Sequence, residues 1–425
     1  MKLDYKRDRR VVVTGVGVIA PNGIGKETFW INTLLGKSGI VEIEFAKVHR
    51  LKSTVGGRVS DFDPRVFGLR ENQICRLDRY VQFALAATKM AIIEAGLDLT
   101  NTEHNEIGVC IANAIGGTKH MEEEFLKLTE NGKMPLNPTW AHKALFQAST
   151  FNVASAEIAY EYKFKGPCNT VPTGCAAGLD AIGLSLDLIR SGRAKVMITG
   201  ASEAPLTPMV MAAFDAIGAL SSKHNHTPSQ ASRPFDALRD GFVLGESCGI
   251  LVLEEREHAL RRKAPILAEI KGYGSTSNAY HMTSLPDNGA DLARSIEIAL
   301  QDAKIDPDEI DYINAHGSST PQNDVNETAA YKKIFGKKAN QLLISSLKSM
   351  CGHALAAANA IETIATICSI VDQKVHPTMN YSIPDPACDL NYVPNKAAPH
   401  AMKYALKNAS GFSGIHSSIV LASHP

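Results

Sequence analysis

The chain has no excess of either charge: its 425 residues carry 44 Lys and Arg against 44 Asp and Glu, a formal net charge of 0. A dedicated nucleic-acid binder needs a basic excess to neutralise phosphates, so that class is not expected, and partners must be met through local patches. The eight cysteines (75, 110, 168, 175, 248, 351, 368 and 388) form no C-x-x-C pair and no Cys/His cluster of zinc spacing, so no metal site is expected. No apolar run reaches the roughly 18 to 20 residues a spanning helix needs, and no membrane segment is expected. The start, MKLDYKRDRR followed by VVVTGVGVIAP, imitates a secretory signal but holds Asp4 and Asp8 and lacks a small-residue cleavage site. A reducing cytoplasm, with most cysteines acting as small core residues, is the expectation.

Hydrophobic residues make up 44% and charged residues 21%, the balance of a folded globular chain, and this length suits one large two-part domain or two domains. Short runs rich in β-branched residues alternate with longer helical patterns: VVVTG at 11, IGVCIANA at 107, VMITG at 196, GILVLEE at 249, DYINAHG at 311, LLISS at 342 and SSIVLAS at 417. Strands separated by helices imply an α/β layered fold. The chain also resembles itself. Cys175-Ala-Ala-Gly-Leu-Asp-Ala-Ile opens an apolar helix as His353-Ala-Leu-Ala-Ala-Ala-Asn-Ala-Ile does, at an offset of 353 − 175 = 178 residues. Two related halves, 1–255 and 256–425, are therefore expected, with no Pro/Ser-rich linker between them. The polar stretch 118–165 has no counterpart of similar size in the second half and is expected to be an insertion, lining a site or capping the surface.

Gly15-Val16-Gly17-Val18-Ile19-Ala20 satisfies a loose dinucleotide fingerprint, but Pro21-Asn22-Gly23 interrupts the helix that must hold a pyrophosphate, and a tight strand exit accounts for it better. Cys175 stands among small residues where an extended stretch enters a helix that Gly192 stops. A helix start favours the thiolate and offers free N–H groups as an oxyanion hole. Two readings stand for it, a nucleophile or a buried small residue. His316 ends the strand-like IDYINA, and His353 begins a helix at the position equivalent to Cys175. A helix N-terminus holds an imidazole neutral, so that it donates a hydrogen bond without acting as an acid. Lys348 and Glu327 supply a charge pair that either orients these histidines or is an ordinary ion pair.

The set Gly174-Cys175, Asn314-Ala315-His316-Gly317, Lys348-Ser-Met-Cys-Gly352-His353 and Gly411-Phe412-Ser413-Gly414 resembles the β-ketoacyl-acyl-carrier-protein synthases, decarboxylative condensing enzymes of the thiolase fold. The match runs from about residue 10 onward. Leu206-Thr207-Pro208, Phe214-Asp-Ala-Ile217, Asn278-Ala-Tyr-His-Met-Thr, Gln322-Asn-Asp324 and Glu327-Thr-Ala-Ala-Tyr-Lys332 look most like the alpha ketosynthase subunit of type II polyketide synthases.

The resemblance implies a duplicated α-β-α-β-α fold of two pseudo-symmetric halves. It implies that Cys175 carries the acyl chain, that the N–H groups of Cys175 and Phe412 form the oxyanion hole, and that His316 and His353 hold the malonyl thioester oxygen. It makes Lys348 and Glu327 orient those histidines, Phe412 gate the acyl pocket, and Ser318 and Thr320 hold the pantetheine arm. No cofactor is implied beyond substrates carried on the phosphopantetheine of an acyl carrier protein. The implied partners are that carrier and a chain-length-factor (ketosynthase beta) subunit in a heterodimer. Ser413 departs from the usual second glycine of the turn and is expected to stiffen the gate. An elongating fatty-acid synthase component uses the same chemistry. A non-catalytic chain-length factor lacks the nucleophile, a thiolase needs a second cysteine, and a cysteine hydrolase leaves the second histidine unexplained.

Overall fold

The computed structural model describes residues 9–100 and 103–424, so the basic start of the signal-like segment lies outside the described residues. The apolar run that follows it is the central strand β1 (Val11–Ala20), buried along its whole length. A strand covered on both faces reads as continuous apolar sequence rather than as alternation. Gly15 and Gly17 sit within this strand and not at its exit. A Cβ at Gly15 would stand 2.3 Å from the carbonyl oxygen of Ala91, and one at Gly17 1.9 Å from that of Ala87. The two glycines let the helix α1 (Arg79–Glu94) lie directly on the strand, which replaces both the nucleotide and the strand-exit readings.

Four more strands of the first half continue the main run of the sheet, β2 (Ile107–Ala112), β3 (Cys168–Asn169), β4 (Val196–Glu203) and β5 (Ser247–Glu255), beside the short strand Gly23–Ile24 that pairs only with β1. The second half has β6 (Ala268–Ser277), β7 (Tyr312–Asn314), β8 (Leu343–Ser345), β9 (Tyr404–Gly411) and β10 (Ile415–Ala422). They pair in the order β8-β7-β9-β10-β6-β1-β5-β4-β2-β3. Each half has three outer parallel strands and two inner antiparallel ones, and the halves join where Val11, Val12 and Val13 of β1 pair with Ile270, Glu269 and Ala268 of β6. Each strand of one half has its mate in the other, β1 with β6 through β5 with β10.

Helices cover this sheet in layers. The stretch expected to be inserted begins with α2 (Thr118–Leu128) and ends in α3 (Val153–Tyr162). The middle layer is α4 (Ala177–Arg190), and the second half adds α5 (Ala290–Ala303), α6 (Pro321–Phe335) and α7 (Leu355–Asp372). α4 and α7 touch both halves of the sheet. α1 and α3 cover the outer face of the first half, and α5 lies on the outer face of the second with α6 packed against it. The five-layer α-β-α-β-α architecture is thus present. α3 is the counterpart of α6, since each connects two parallel strands, so the segment without a mate is 118–152 and not 118–165.

Every residue of α7 from Leu355 to Ile370 is buried, as the middle layer requires. That burial explains why this helix, contrary to the expectation of no such run, is long and apolar enough to cross a membrane. The strands β3, β6 and β9 were not anticipated: β3 is only two residues long, and Gly272, Gly274, Lys407 and Asn408 break up the apolar pattern of the other two.

Candidate active site

Cys175 lies in the turn Gly174–Ala176 immediately before α4, and His353 lies between Gly352 and the start of α7. Each is two residues upstream of its helix, so the pseudo-twofold brings them to one end of the middle layer. The helices cross closely there: a Cβ at Gly178 would stand 2.4 Å from the carbonyl oxygen of Ala356, its own repeat mate. Asn359 of α7 reaches across and donates to the carbonyl oxygen of Cys175. His316 follows β7 by two residues, and its ring meets that of His353 edge to face at a centroid distance of 5.1 Å. Cys175, both histidines, Ser318, Thr320 and Phe412 line one cavity of about 310 Å³.

Burial pushes the Cys175 thiol up to about 11, against the field of Lys348 and the N–H groups of Phe412 and of Cys175 itself; Glu203 adds to the rise. The resting group at neutral pH is therefore the thiol, not the thiolate expected from the helix start, because desolvation outweighs the local dipole. Hydrogen bonds from these two N–H groups reach the sulfur. Both imidazoles are held well below their ordinary 6.5, His316 by burial, then Lys348 and then its neighbour His353, and His353 by burial and then Lys348. Neutrality was expected from a helix terminus. Burial and a lysine produce it instead. The Nδ1 atoms of both rings are buried without partners, which leaves Nε2 as the atom for the cavity.

Lys348 and Glu327 do not pair with each other. The Lys348 ammonium lies 2.5 Å from Oε1 of Glu362 on α7 and donates to the carbonyl oxygen of His316 at 2.8 Å. The Glu327 carboxylate on α6 accepts the amide hydrogens of His316 at 2.6 Å and of Gly317 at 2.8 Å, and is further held by Tyr331 and Asn408. Both residues grip the backbone of His316 rather than either ring. The backbone of His353 is held separately, its N–H donating to Val243 at 2.7 Å and its carbonyl accepting from Gly245 at 3.0 Å. Glu362 and Asn359 were missed in the sequence. The available signal was a single carboxylate and a single amide within the largely apolar stretch 355–370, since such groups are buried only with partners.

Phe412 stands beside the cysteine in the turn Phe412–Gly414, its ring 6.4 Å from Phe214, which in turn meets Phe242 at 5.3 Å. A Cβ at Gly411 would lie 3.4 Å from Cys175, at ordinary van der Waals distance, so this strand end packs directly against the cysteine. Ser413 occupies the left-handed region at φ 68, and its N–H donates to the carbonyl of Met282 at 2.7 Å. The Ser318 and Thr320 hydroxyls bond each other at 2.8 Å at the cavity wall.

Comparison with known proteins agrees with this geometry. The family description "Beta-ketoacyl synthase, N-terminal domain" matches residues 8–259, and "Beta-ketoacyl synthase, C-terminal domain" matches residues 267–382. The chain is 42% identical over 416 residues, 98% of its length and 97% of the relative's, to the tetracenomycin polyketide synthase ketoacyl synthase alpha subunit of Streptomyces glaucescens. It superposes at TM-score 0.93 with 46% identity, over 98% of this chain and 100% of the other, on a ketosynthase solved with its type II PKS acyl-carrier protein and bound to the hexaketide. It superposes at 0.89 with 33% identity, over 98% and 100%, on the ishigamide ketosynthase/chain length factor. With both halves matched in order and the cysteine and two histidines converging on one cavity, the chain belongs to the β-ketoacyl synthase family.

Proposed function

We propose that this chain is the alpha ketosynthase of a type II polyketide synthase, elongating an acyl chain by decarboxylative Claisen condensation. The observation that carries the reading is the convergence of Cys175, with two N–H groups aimed at its sulfur, and two neutral imidazoles on one cavity. In this reading residues 1–255 supply the nucleophile and residues 256–425 the histidines.

The acyl group arrives as a thioester on the phosphopantetheine of an acyl carrier protein, the arm lying along Ser318 and Thr320 while Phe412 gates the pocket. Cys175 attacks the carbonyl, the oxyanion rests on the N–H groups of Cys175 and Phe412, and the carrier's thiol leaves with the proton that Cys175 gives up. Malonyl-carrier protein then binds. Its carbon–carboxyl bond breaks, carbon dioxide departs, and the electron pair passes to the thioester oxygen, where Nε2–H of His316 and of His353 stabilise the enolate. The enolate carbon attacks the acyl carbon, the bond to the Cys175 sulfur breaks, the thiolate so released takes up a proton from solvent, and a β-keto thioester two carbons longer remains on the carrier. Neutral donors suit this step, because charge appears on the oxygen only as the bond breaks and no proton need move. Lys348 and Glu327 fix His316 through its backbone.

The working form is a heterodimer with a chain-length factor, a reading supported by the similarity to the ishigamide complex and by Phe214-Asp-Ala-Ile217 and Gln322-Asn-Asp324. Reconstitution with carrier protein and isotope-labelled malonyl groups tests both parts. With a beta partner it should yield a poly-β-keto chain, and Cys175→Ala should abolish acyl loading. Acylation that persists without Cys175 overturns the nucleophile assignment, and saturated fatty acids from a homodimer identify the elongating fatty-acid enzyme instead.

A further inference from the structure

Lys407 is wholly buried on β9 and has no part in the steps above. Its ammonium lies 2.8 Å from Oε2 of Glu362. It donates instead to the carbonyl oxygens of Asn408 at 2.5 Å and of Ala315 at 3.3 Å, so the contact with Oε2 is an ion pair and not a directed hydrogen bond. Glu362 is therefore bridged, with Lys348 on one oxygen and Lys407 on the other. The consequence lies in the strand end that bears His316. Lys407 holds the carbonyl of Ala315, Glu327 the N–H of His316, Lys348 the carbonyl of His316, and Glu327 again the N–H of Gly317. Four successive polar groups of the backbone are gripped by three charged side chains.

We infer that Lys407 is a positioning residue for enolate formation, completing through Glu362 and the Ala315 carbonyl the clamp on the strand end that bears His316. The inference rests on the proposed condensation. A buried ammonium is costly, and an apolar side chain would fill the same space at less expense, so stability alone does not account for it. The groups facing Lys407 are Glu362 on α7, Lys348 in the turn before it, Glu327 on α6, and the histidines 316, 353 and 376. With both lysines charged, two cations balance two carboxylates. Burial nonetheless lowers Lys407 from its ordinary 10.5 to about 8, against the pull of Glu362. Above that pH the cluster gains a net negative charge and Ala315 loses a charged donor. Decarboxylation should then fall on an alkaline limb near pH 8. Loading of Cys175 should not follow it, because the lysine acting on that thiol is Lys348.

Stability moves the other way. Between about 8 and 10.5 the unfolded chain retains a proton on this lysine that the folded chain has released, so stability rises with pH where activity falls. A purely structural lysine gives no such opposition.

The test measures acyl loading by intact mass and labelled carbon dioxide release from malonyl-carrier protein, across pH, in the wild type and in Lys407→Arg and Lys407→Met. The methionine variant should load Cys175 yet lose about tenfold or more in the kcat of decarboxylation, with KM little changed. Arginine, which keeps its charge throughout, should restore part of that loss and move the alkaline limb upward. A methionine variant that decarboxylates within about twofold of wild type overturns the proposal. So does an arginine variant with the wild-type limb, and this second comparison stands even if methionine prevents folding. A wild-type protein that releases no carbon dioxide refutes the condensation itself, whereas normal release without these shifts refutes only the role of Lys407.

Discussion

The Lys348 ammonium lies 2.5 Å from Oε1 of Glu362, with both side chains 1% exposed, and the same ammonium holds the carbonyl oxygen of His316. Glu362 is shared with Lys407, so losing Lys348 leaves that carboxylate one cation, whereas losing Glu362 strands buried lysines, at a cost of about 3–5 kcal/mol. The pair therefore serves position and field more than net stability. Its field reaches the Cys175 thiol as well as both histidines.

Replacing Lys348 with methionine should raise the Cys175 thiol further, since Lys348 is the largest influence opposing burial. The thiolate fraction at neutral pH falls accordingly, so acyl loading slows, and each unit of rise costs about tenfold. Iodoacetamide alkylation followed across pH reads this directly. The wild-type midpoint belongs near about 11 and that of Lys348→Met above it; a midpoint that stays or falls contradicts the account.

His316→Ala and His353→Ala should separate from Cys175→Ala by the step they disturb. In the proposed mechanism acyl transfer relies on the N–H groups of Cys175 and Phe412, which neither histidine change removes. Each lost donor to the enolate oxygen should cost on the order of 3–4 kcal/mol, about a hundred- to a thousand-fold in carbon dioxide release. Intact-mass detection of acyl-Cys175 beside labelled carbon dioxide distinguishes the outcomes. Normal decarboxylation in either variant, or lost loading in both, would sink this division of labour.

Ser413 carries a side chain in the left-handed region, at φ 68, in the turn that holds Phe412. An L-residue there is strained by about 1–2 kcal/mol relative to glycine, part of which glycine gives back through its freer unfolded chain. Ser413→Gly should thus be no less stable than the wild type in urea, and a freed Phe412 should speed loading of bulky acyl groups. Ser413→Val, β-branched in the same conformation, should lose stability. A glycine variant that unfolds at lower urea than wild type would show that the Ser413 side chain is itself supportive.

Much of the site was legible in sequence because its markers are local. Cys175, His316 and His353 each stand at the end of an element beside a glycine or another small residue, and the 178-residue offset places Cys175 and His353 at equivalent positions before any contact is known. The β-branched runs likewise announce seven strands, since a strand buried on both faces must be apolar throughout. β6 escaped that rule because Gly272 and Gly274 make room for α5, as Gly15 and Gly17 do for α1, and the reason for those glycines lies in another element.

The same holds for the charges. Whether Lys348 meets Glu327 or Glu362 depends on which helix turns toward it, and spacing along the chain does not record that. Which way the thiol and the imidazoles shift depends on how much water the assembled layers exclude. The sequence by itself singled out Cys175, His316 and His353 and the alternation of strands and helices, because both follow from short-range pattern, while the order of the layers came only with the family resemblance. Only the tertiary structure decided the ion-pair partners, the role open to Lys407 and the resting state of Cys175, because burial and field are sums over residues far apart in the chain.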